Sequence, residues 1–219
     1  FKDDGYTPVI MYAQDDADEQ ASQVSDMTEE GISAMVIAPV DPYGLSEELK
    51  AAKEAEIPVI AYDDLIMNTD ALKYYVTFGG RQIGQLIGQE IIDKEELEKL
   101  QEAKESKTIE FFMGSLDDEQ ALFFYNGLME KLQPYLDDGT LVCKSGQITF
   151  EETGILRWSM DEAQSRVEET LSEFYSDTET PDIICTGFDG AAEGVLKALR
   201  NDGLTLGENW PMITGVGCD

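Results

Sequence analysis

The sequence predicts an α/β protein built from two doubly wound parallel-sheet lobes joined by a hinge. Short apolar segments alternate with amphipathic segments of helical period along most of the chain, the pattern of a parallel sheet with crossover helices. One apolar segment, 73–80, is not preceded by a helical segment. A strand that directly follows another strand can leave one sheet and enter a second, so this break predicts a crossing between domains.

The remaining elements follow in regular order. The apolar segments predict strands at 8–13, 34–38, 57–62, 74–79, 108–113, 140–145, 182–187 and 211–216. The amphipathic segments predict helices at 17–30, 45–55, 80–103, 118–136, 161–175 and 189–202, with Gly31, Gly139 and Gly203 at expected helix C-termini. Because segment 57–62 shows no polar alternation, we expect that strand to be buried on both faces.

The domain boundaries follow from the break at 73–80. We assign 1–78 to an N-terminal lobe whose first strand–helix unit is missing, 79–214 to a C-terminal lobe, and 215–219 to the start of a return crossing. The expected fold is therefore incomplete at both ends. Gly79 and Gly80 would let the backbone turn at the crossing.

The composition excludes several classes of function. The net charge of −31 disfavours nucleic acid and anionic membrane surfaces as partners. The chain has no histidine, which excludes His-based acid–base and nucleophilic catalysis and removes the commonest zinc ligand. The three cysteines show no CxxC spacing, and Cys143 and Cys185 lie in apolar segments, so we expect buried thiols.

Aspartates follow most of the predicted strands. They occur in "AQDD" (13–16), "APVD" (38–41), "AYDD" (61–64), "GSLDD" (114–118), "TGFDG" (186–190) and "GVGCD" (215–219). Since ligands of open parallel sheets bind at the carboxyl ends of the strands, these acids predict a ligand-facing edge. We expect about half of them only to cap helices.

The paired carboxylates allow two kinds of chemistry. They could accept hydrogen bonds from sugar hydroxyls, with Trp158 packing on the sugar ring, although a Trp at a helix entry can also be a local packing anchor. Alternatively, Asp63 with Asp118 or Asp189 could hydrolyse a glycosidic bond in a β/α barrel. The helix-less junction at 63–73 argues against a barrel. Neither a phosphate-binding glycine motif nor a calcium loop is present in the sequence.

Five segments carry a further signal in their order along the chain. They are "VIAPVDPYGL", "AEIPVIAYDDLI", "FFMGSLDDEQALFFYNGLMEKLQPYLDDGTLV", "ILRWSMDEAQSR" and "ICTGFDGAAEGVLKALRNDG". Together they resemble the periplasmic sugar-binding proteins of ABC transporters, of the multiple-sugar and xylose type, over essentially the whole chain.

That resemblance implies a type I periplasmic binding protein, which is not an enzyme and uses no cofactor. Such a receptor captures a monosaccharide between two lobes and delivers it to the permease of an ABC importer or to a membrane sensor. It implies a monomer with a periplasmic or extracellular location, with or without a lipid anchor. A sugar-responsive transcription repressor shares this architecture, but the chain contains no basic helix-turn-helix.

The resemblance also implies a ligand site without catalytic or metal-binding residues. The implied ligand-binding residues are Asp63, Asp64, Asp118, Gln120, Trp158 and Asp189. The sequence departs from the family pattern at several positions, where among others Asp64 replaces an arginine, and Val216 and Gly217 replace a glutamine and an aspartate. Two neighbouring carboxylates only accept hydrogen bonds, so we expect the site to favour neutral or cationic ligands and to reject sugar acids.

Overall fold

The structure, a computed structural model, describes residues 5–175, 179–201, 203 and 210–217. The chain divides into two compact units, Phe1–Phe78 and Gly79–Asp219. Each unit is an α/β structure around its own parallel sheet.

Unit 1 contains a three-stranded parallel sheet in the order β1-β2-β3. Its elements are α1 (Ala17–Glu30), β1 (Met35–Ile37), α2 (Ser46–Glu54), β2 (Val59–Tyr62) and β3 (Leu72–Val76). Helix α1 begins at Asp16, whose carboxylate accepts hydrogen bonds from two backbone N–H groups, and ends at Gly31 with a left-handed φ of 69°. Both ends of this helix therefore match the sequence prediction.

The sheet of unit 1 is covered on one face. Val59 and Ala61 are fully buried among side chains of α1 and α2. On the opposite face, Val36 is 59% exposed and Tyr74 is 63% exposed. The prediction that strand 57–62 is buried on both faces is therefore wrong for the described part of unit 1, because both helices pack on the same side of the sheet.

The predicted strand at 8–13 is also wrong, since residues 8–13 have no regular secondary structure. Val9, Ile10 and Tyr12 are exposed. A strand is defined by ladder hydrogen bonds to a neighbour, and β1 pairs only with β2 among the described strands. The apolar pattern of this segment thus predicted a strand that has no described partner.

Unit 2 contains a four-stranded parallel sheet in the order β5-β4-β6-β7. Its strands are β4 (Lys107–Phe112), β5 (Leu141–Val142), β6 (Ile183–Thr186) and β7 (Met212–Ile213). Its helices are α3 (Gly80–Lys94), α4 (Leu97–Ala103), α5 (Glu119–Asp137), α6 (Phe150–Thr153), α7 (Met160–Phe174) and α8 (Asp189–Asn201), with a 3₁₀ turn at Leu156–Trp158.

Helices cover both faces of the unit 2 sheet. Ile109 and Phe111 pack with α3 and α5 on one face, whereas Phe112 and Ile184 pack with α7 and α8 on the other. The described sheet is therefore doubly wound and open, with β5 and β7 at its edges, and does not match the closed barrel required by the hydrolase alternative. In the described part of the chain, no helix is long and apolar enough to cross a bilayer.

Several elements of unit 2 differ from the prediction. The predicted helix 80–103 is two helices, because Glu96 adopts a left-handed φ of 51° between α3 and α4. The predicted strand 140–145 ends at Val142, where Cys143 and Ser145 turn to bond the buried carboxylate of Glu110. The short helix α6 was not predicted, since a four-residue helix has too few turns to show a period.

Candidate functional site

Loops at the carboxyl ends of β4, β6 and β7 lie close together in unit 2. The N–H of Gly187 donates to the carbonyl of Phe112 at 3.0 Å, which ties the loop after β6 to the end of β4. The N–H of Asp189 donates to the carbonyl of Val216 at 3.0 Å, which ties the same loop to the segment after β7. The predicted meeting of post-strand loops at one sheet edge is thus present in unit 2.

Trp158 stands at this edge, two residues before α7 begins at Met160. Its side chain is partly exposed, at 38%. One edge of the ring system meets the ring of Phe188, with centroids 5.2 Å apart and planes at 88°. Because Phe188 precedes Asp189, this contact joins the predicted stacking residue to the loop that carries the predicted hydroxyl acceptor.

The backbone at Trp158 is strained. Arg157 and Trp158 both have left-handed φ angles, 55° and 54°. Non-glycine residues rarely adopt this conformation, and such positions concentrate at ligand sites. The turn is held by the surrounding structure, including a hydrogen bond of 2.7 Å from the N–H of Arg157 to Ser115 Oγ.

Asp189 is the first residue of α8, and the segment after β7 passes close to its carboxylate. A Cβ atom at Gly215 would lie 2.4 Å from Asp189 Oδ1, and one at Gly217 would lie 2.9 Å from Oδ2. Side chains at these two positions would require the carboxylate to move. The glycines therefore fix how closely this backbone approaches Asp189.

Asp118 and Gln120 lie where α5 begins. Asp118 is the N-cap of α5, and its carboxylate accepts a hydrogen bond of 2.7 Å from the N–H of Gln120. This is the capping role that the sequence left open for such acids. Gln120 is half-buried beside the start of α3, where a Cβ atom at Gly80 would lie 3.0 Å from its Oε1.

Asp63 and Asp64 lie in unit 1, directly after β2. Asp63 is exposed and adopts a left-handed φ of 68°. Its N–H donates to Val76 at 2.9 Å, and its carbonyl accepts from the Tyr75 hydroxyl at 2.9 Å. The backbone of Asp63 is therefore anchored to β3 on both sides, while Asp64 is half-buried.

The family model described as "Periplasmic binding protein domain" matches residues 1–219. The chain belongs to this periplasmic binding protein family. It is 41% identical over 212 residues to the multiple sugar-binding periplasmic receptor ChvE of Rhizobium radiobacter, covering 96% of this chain and 59% of the relative. It is 37% identical over 216 residues to the multiple sugar-binding periplasmic protein SbpA of Azospirillum brasilense, covering 98% of this chain and 59% of the relative.

A solved structure supports the same family. The ABC transporter solute-binding protein of Clostridium phytofermentans, solved with bound β-D-glucose, is 40% identical to this chain with a TM-score of 0.85. The match covers 100% of this chain and 65% of that one. The chain thus spans about three fifths of the length of the periplasmic binding proteins that it matches. The prediction of an α/β periplasmic binding protein fold is confirmed.

The expectation about helix caps is confirmed in part. Asp16 and Asp118 each cap a helix, and Asp41 accepts a hydrogen bond of 2.8 Å from the N–H of Tyr43 in a turn. Asp63 caps no helix, because the next element after it is β3. Asp219, the last of the predicted loop acids, lies outside the described residues, as does Cys218.

Two residues with a part in the site were not predicted. Gly114 lies against the indole of Trp158, and Ser115 bonds the turn before it. The sequence signal was the Gly-Ser pair directly after a buried strand. A glycine there indicates close approach of another group, but the sequence does not identify that group.

The described side chains form no metal centre, and the two described thiols are not activated. Within the described residues, no three Cys, Asp or Glu side chains are grouped in a way that could hold a metal ion. Burial raises the pKa of the Cys143 thiol to about 11, against a partly opposing hydrogen bond with Ser145. Burial likewise raises the pKa of Cys185 to about 12. Both thiols are therefore poor nucleophiles at neutral pH.

Proposed function

We propose that the protein is an extracytoplasmic receptor that binds a monosaccharide and delivers it to an ABC-type sugar importer. The observation that carries this proposal is the similarity over the whole chain to a solute-binding protein solved with bound β-D-glucose. The two relatives described above are also named as multiple sugar-binding proteins. Neutral aldoses are therefore the ligand class to test first.

The geometry of unit 2 supports a sugar ligand. Trp158 offers partly exposed indole surface next to the loop of Asp189. An aromatic face can pack on the C–H surface of a pyranose while ionised carboxylates accept hydrogen bonds from its hydroxyls. We assign the stacking role to Trp158 and an acceptor role to Asp189.

Unit 1 supplies two further proposed acceptors, Asp63 and Asp64. Asp63 is anchored by its backbone and leaves its side chain at the surface. Asp64 follows it as a second carboxylate, at the position where the family pattern has an arginine. Asp118 and Gln120 complete the proposed set, although the carboxylate of Asp118 already caps α5.

The wider assignments belong to the same proposal. We propose that residues 1–78 and 79–214 form the two lobes of the receptor and that residues from 215 begin a return crossing. The protein would act as a monomer outside the cytoplasmic membrane, with the importer permease or a membrane sensor as its partner. The acidic surface would keep such a receptor soluble and away from anionic lipid.

Titration calorimetry against a panel of sugars tests the function. The panel contains D-glucose, D-galactose, D-xylose and L-arabinose, with D-glucuronate as the anionic comparison. We expect at least one neutral aldose to bind with one-to-one stoichiometry, and D-glucuronate to bind at least tenfold more weakly than its neutral parent D-glucose. Absence of heat with all four neutral aldoses would overturn the proposal.

A further inference from the structure

Ser115 is a fully buried polar residue at the end of β4, with 0% exposure. Its hydroxyl accepts a hydrogen bond of 2.7 Å from the N–H of Arg157 and donates to the carboxylate of Asp117. The hydroxyl therefore uses both its acceptor and its donor capacity. It connects the loop after β4 to the turn that presents Trp158, 42 residues further along the chain.

The turn it holds is the strained one. Arg157 and Trp158 are consecutive residues in the left-handed region, a conformation that is unfavourable for residues other than glycine. The strain is maintained only if surrounding contacts fix the turn. A second contact comes from Gly114, whose carbonyl accepts from the N–H of Ile155 at 3.1 Å.

Gly114 also shapes the space occupied by the indole. A Cβ atom at this position would lie 2.3 Å from Trp158 Cη2 and 2.4 Å from Cζ3. It would also lie 2.8 Å from the Cβ of Ala121. The ring of Trp158 therefore rests on glycine backbone, and a methyl group there would displace the ring.

We propose that Gly114 and Ser115 are positioning residues for ligand binding, which set the orientation of Trp158 without touching the ligand. Gly114 provides the surface on which the indole lies, and Ser115 holds the backbone that carries it. This proposal rests on the proposed stacking role of Trp158.

The first test measures the orientation of the indole without any ligand. The sequence contains two tryptophans, Trp158 and Trp210. In a Trp210→Phe background, Trp158 is therefore the single remaining fluorescent indole. We expect Ser115→Ala to shift the emission maximum of Trp158 and to raise its quenching by acrylamide, because the unsupported turn exposes the ring. Ser145→Ala is the matched control, since it removes another hydrogen-bonded hydroxyl of unit 2 that bonds Glu110 instead. Unchanged emission and quenching in Ser115→Ala would overturn the proposal.

The second test measures coupling to ligand binding. We expect Ser115→Ala to weaken binding of the best aldose of the panel by about three- to tenfold, and to have less than a twofold effect when Trp158 is already alanine. A residue that acted only on the stability of unit 2 would weaken both backgrounds equally. Equal losses in the two backgrounds would therefore overturn the positioning role.

A third measurement addresses Gly114. We expect Gly114→Ala to lower the Tm, and to lower it less in a Trp158→Ala background, because removal of the indole makes room for the methyl group. An equal loss in both backgrounds would show that the methyl group conflicts with something other than the indole, which contradicts the assignment.

If no sugar binds, the proposed function fails, whereas the fluorescence and Tm measurements still decide whether Gly114 and Ser115 orient Trp158.

Discussion

The indole of Trp158 meets the ring of Phe188 edge to face, with centroids 5.2 Å apart and planes at 88°. This arrangement is favoured because the positive edge of one ring faces the negative face of the other. Gly114 lies against the Cη2–Cζ3 side of the same indole. Both contacts are made within unit 2. Together they fix the orientation of the indole and of its partly exposed surface.

The orientation of Trp158 leads to a fluorescence prediction. In a Trp210→Phe background, emission should change on addition of the best-binding aldose, because the sugar would cover the partly exposed indole. Trp210 packs against the cluster formed by α7 and α8, so a protein that carries Trp158→Phe and retains Trp210 should show no such change. Full affinity in Trp158→Ala, measured by calorimetry, would show that the indole does not contact the ligand.

The crossing of α3 and α5 leads to a stability prediction. A Cβ atom at Gly84 would lie 2.0 Å from the carbonyl oxygen of Phe124, and one at Gly127 would lie 2.0 Å from that of Arg81. Because backbone must move to admit a methyl group, Gly84→Ala should lower the free energy of unfolding by about 1 to 3 kcal/mol or more. Leu86→Ala, on the exposed side of α3 with 69% exposure, should change it by less than about 0.5 kcal/mol. Urea titration of the two variants makes the comparison, and equal stabilities would contradict the close-packed crossing.

Much of the fold could be predicted from the sequence because its signals are local. The helical period and the glycine after α1 lie within one segment, and the structure has them where the sequence placed them. The segment at 8–13 has the same local apolar signal but no described strand partner. Pairing depends on distant residues, which a segment does not contain.

The site was predictable only as far as residue types allowed. An aspartate after a strand can cap a helix or face a ligand, and the structure shows only that Asp118 caps α5 whereas Asp63 caps no helix. The roles of Gly114 and Ser115 depend on contacts with residues about 40 positions away, such as that of Ser115 with Arg157, 42 residues apart. Local patterns in one sequence carry no information about such contacts.

The buried carboxylate of Glu110 leads to a third prediction. Glu110 is 1% exposed and accepts hydrogen bonds from the Ser145 N–H at 3.1 Å, the Ser145 hydroxyl at 2.5 Å and the Tyr175 hydroxyl at 2.8 Å. Burial, and then the charge of Glu110, raises the pKa of Tyr175, which keeps that donor protonated. Glu110→Gln places an amide N–H₂ against these donors and should cost about 1 to 3 kcal/mol of stability. Thermal unfolding of Glu110→Gln is compared with that of Glu173→Gln, a control at an exposed position. Equal Tm values for the two variants would contradict a stabilising hydrogen-bond network around Glu110.

The half-buried thiol of Cys143 gives a prediction for alkaline pH. The pKa of Cys143 rises from 9.0 to about 11, chiefly through burial. The unfolded chain therefore loses the proton near pH 9 while the folded protein keeps it, so the contribution of this thiol to stability is complete below pH 9 and is lost between pH 9 and 11. In a Cys218→Ser background, Cys143→Ser should flatten the fall in stability across that window, as measured by urea titration at each pH. Parallel curves of stability against pH for the two proteins would contradict the raised pKa of Cys143.

The carboxylate pair after β2 gives the last prediction. Asp63 holds a left-handed φ of 68°, which Asn also tolerates, so Asp63→Asn removes charge with little change in backbone preference. A hydrogen bond to a charged group is worth about 1.5 to 3 kcal/mol, so Asp63→Asn should weaken binding of the best aldose about tenfold or more. Asp64→Arg should retain or improve the affinity, because a donor would then complement the acceptor at Asp63 and relieve the repulsion between the two carboxylates.

The control in the same unit is Asp70→Asn. Asp70 pairs with Lys53 at 2.6 Å, so this variant should leave the sugar affinity unchanged. Calorimetry on the three variants separates the outcomes, and an unchanged affinity in Asp63→Asn would remove this residue from the proposed site.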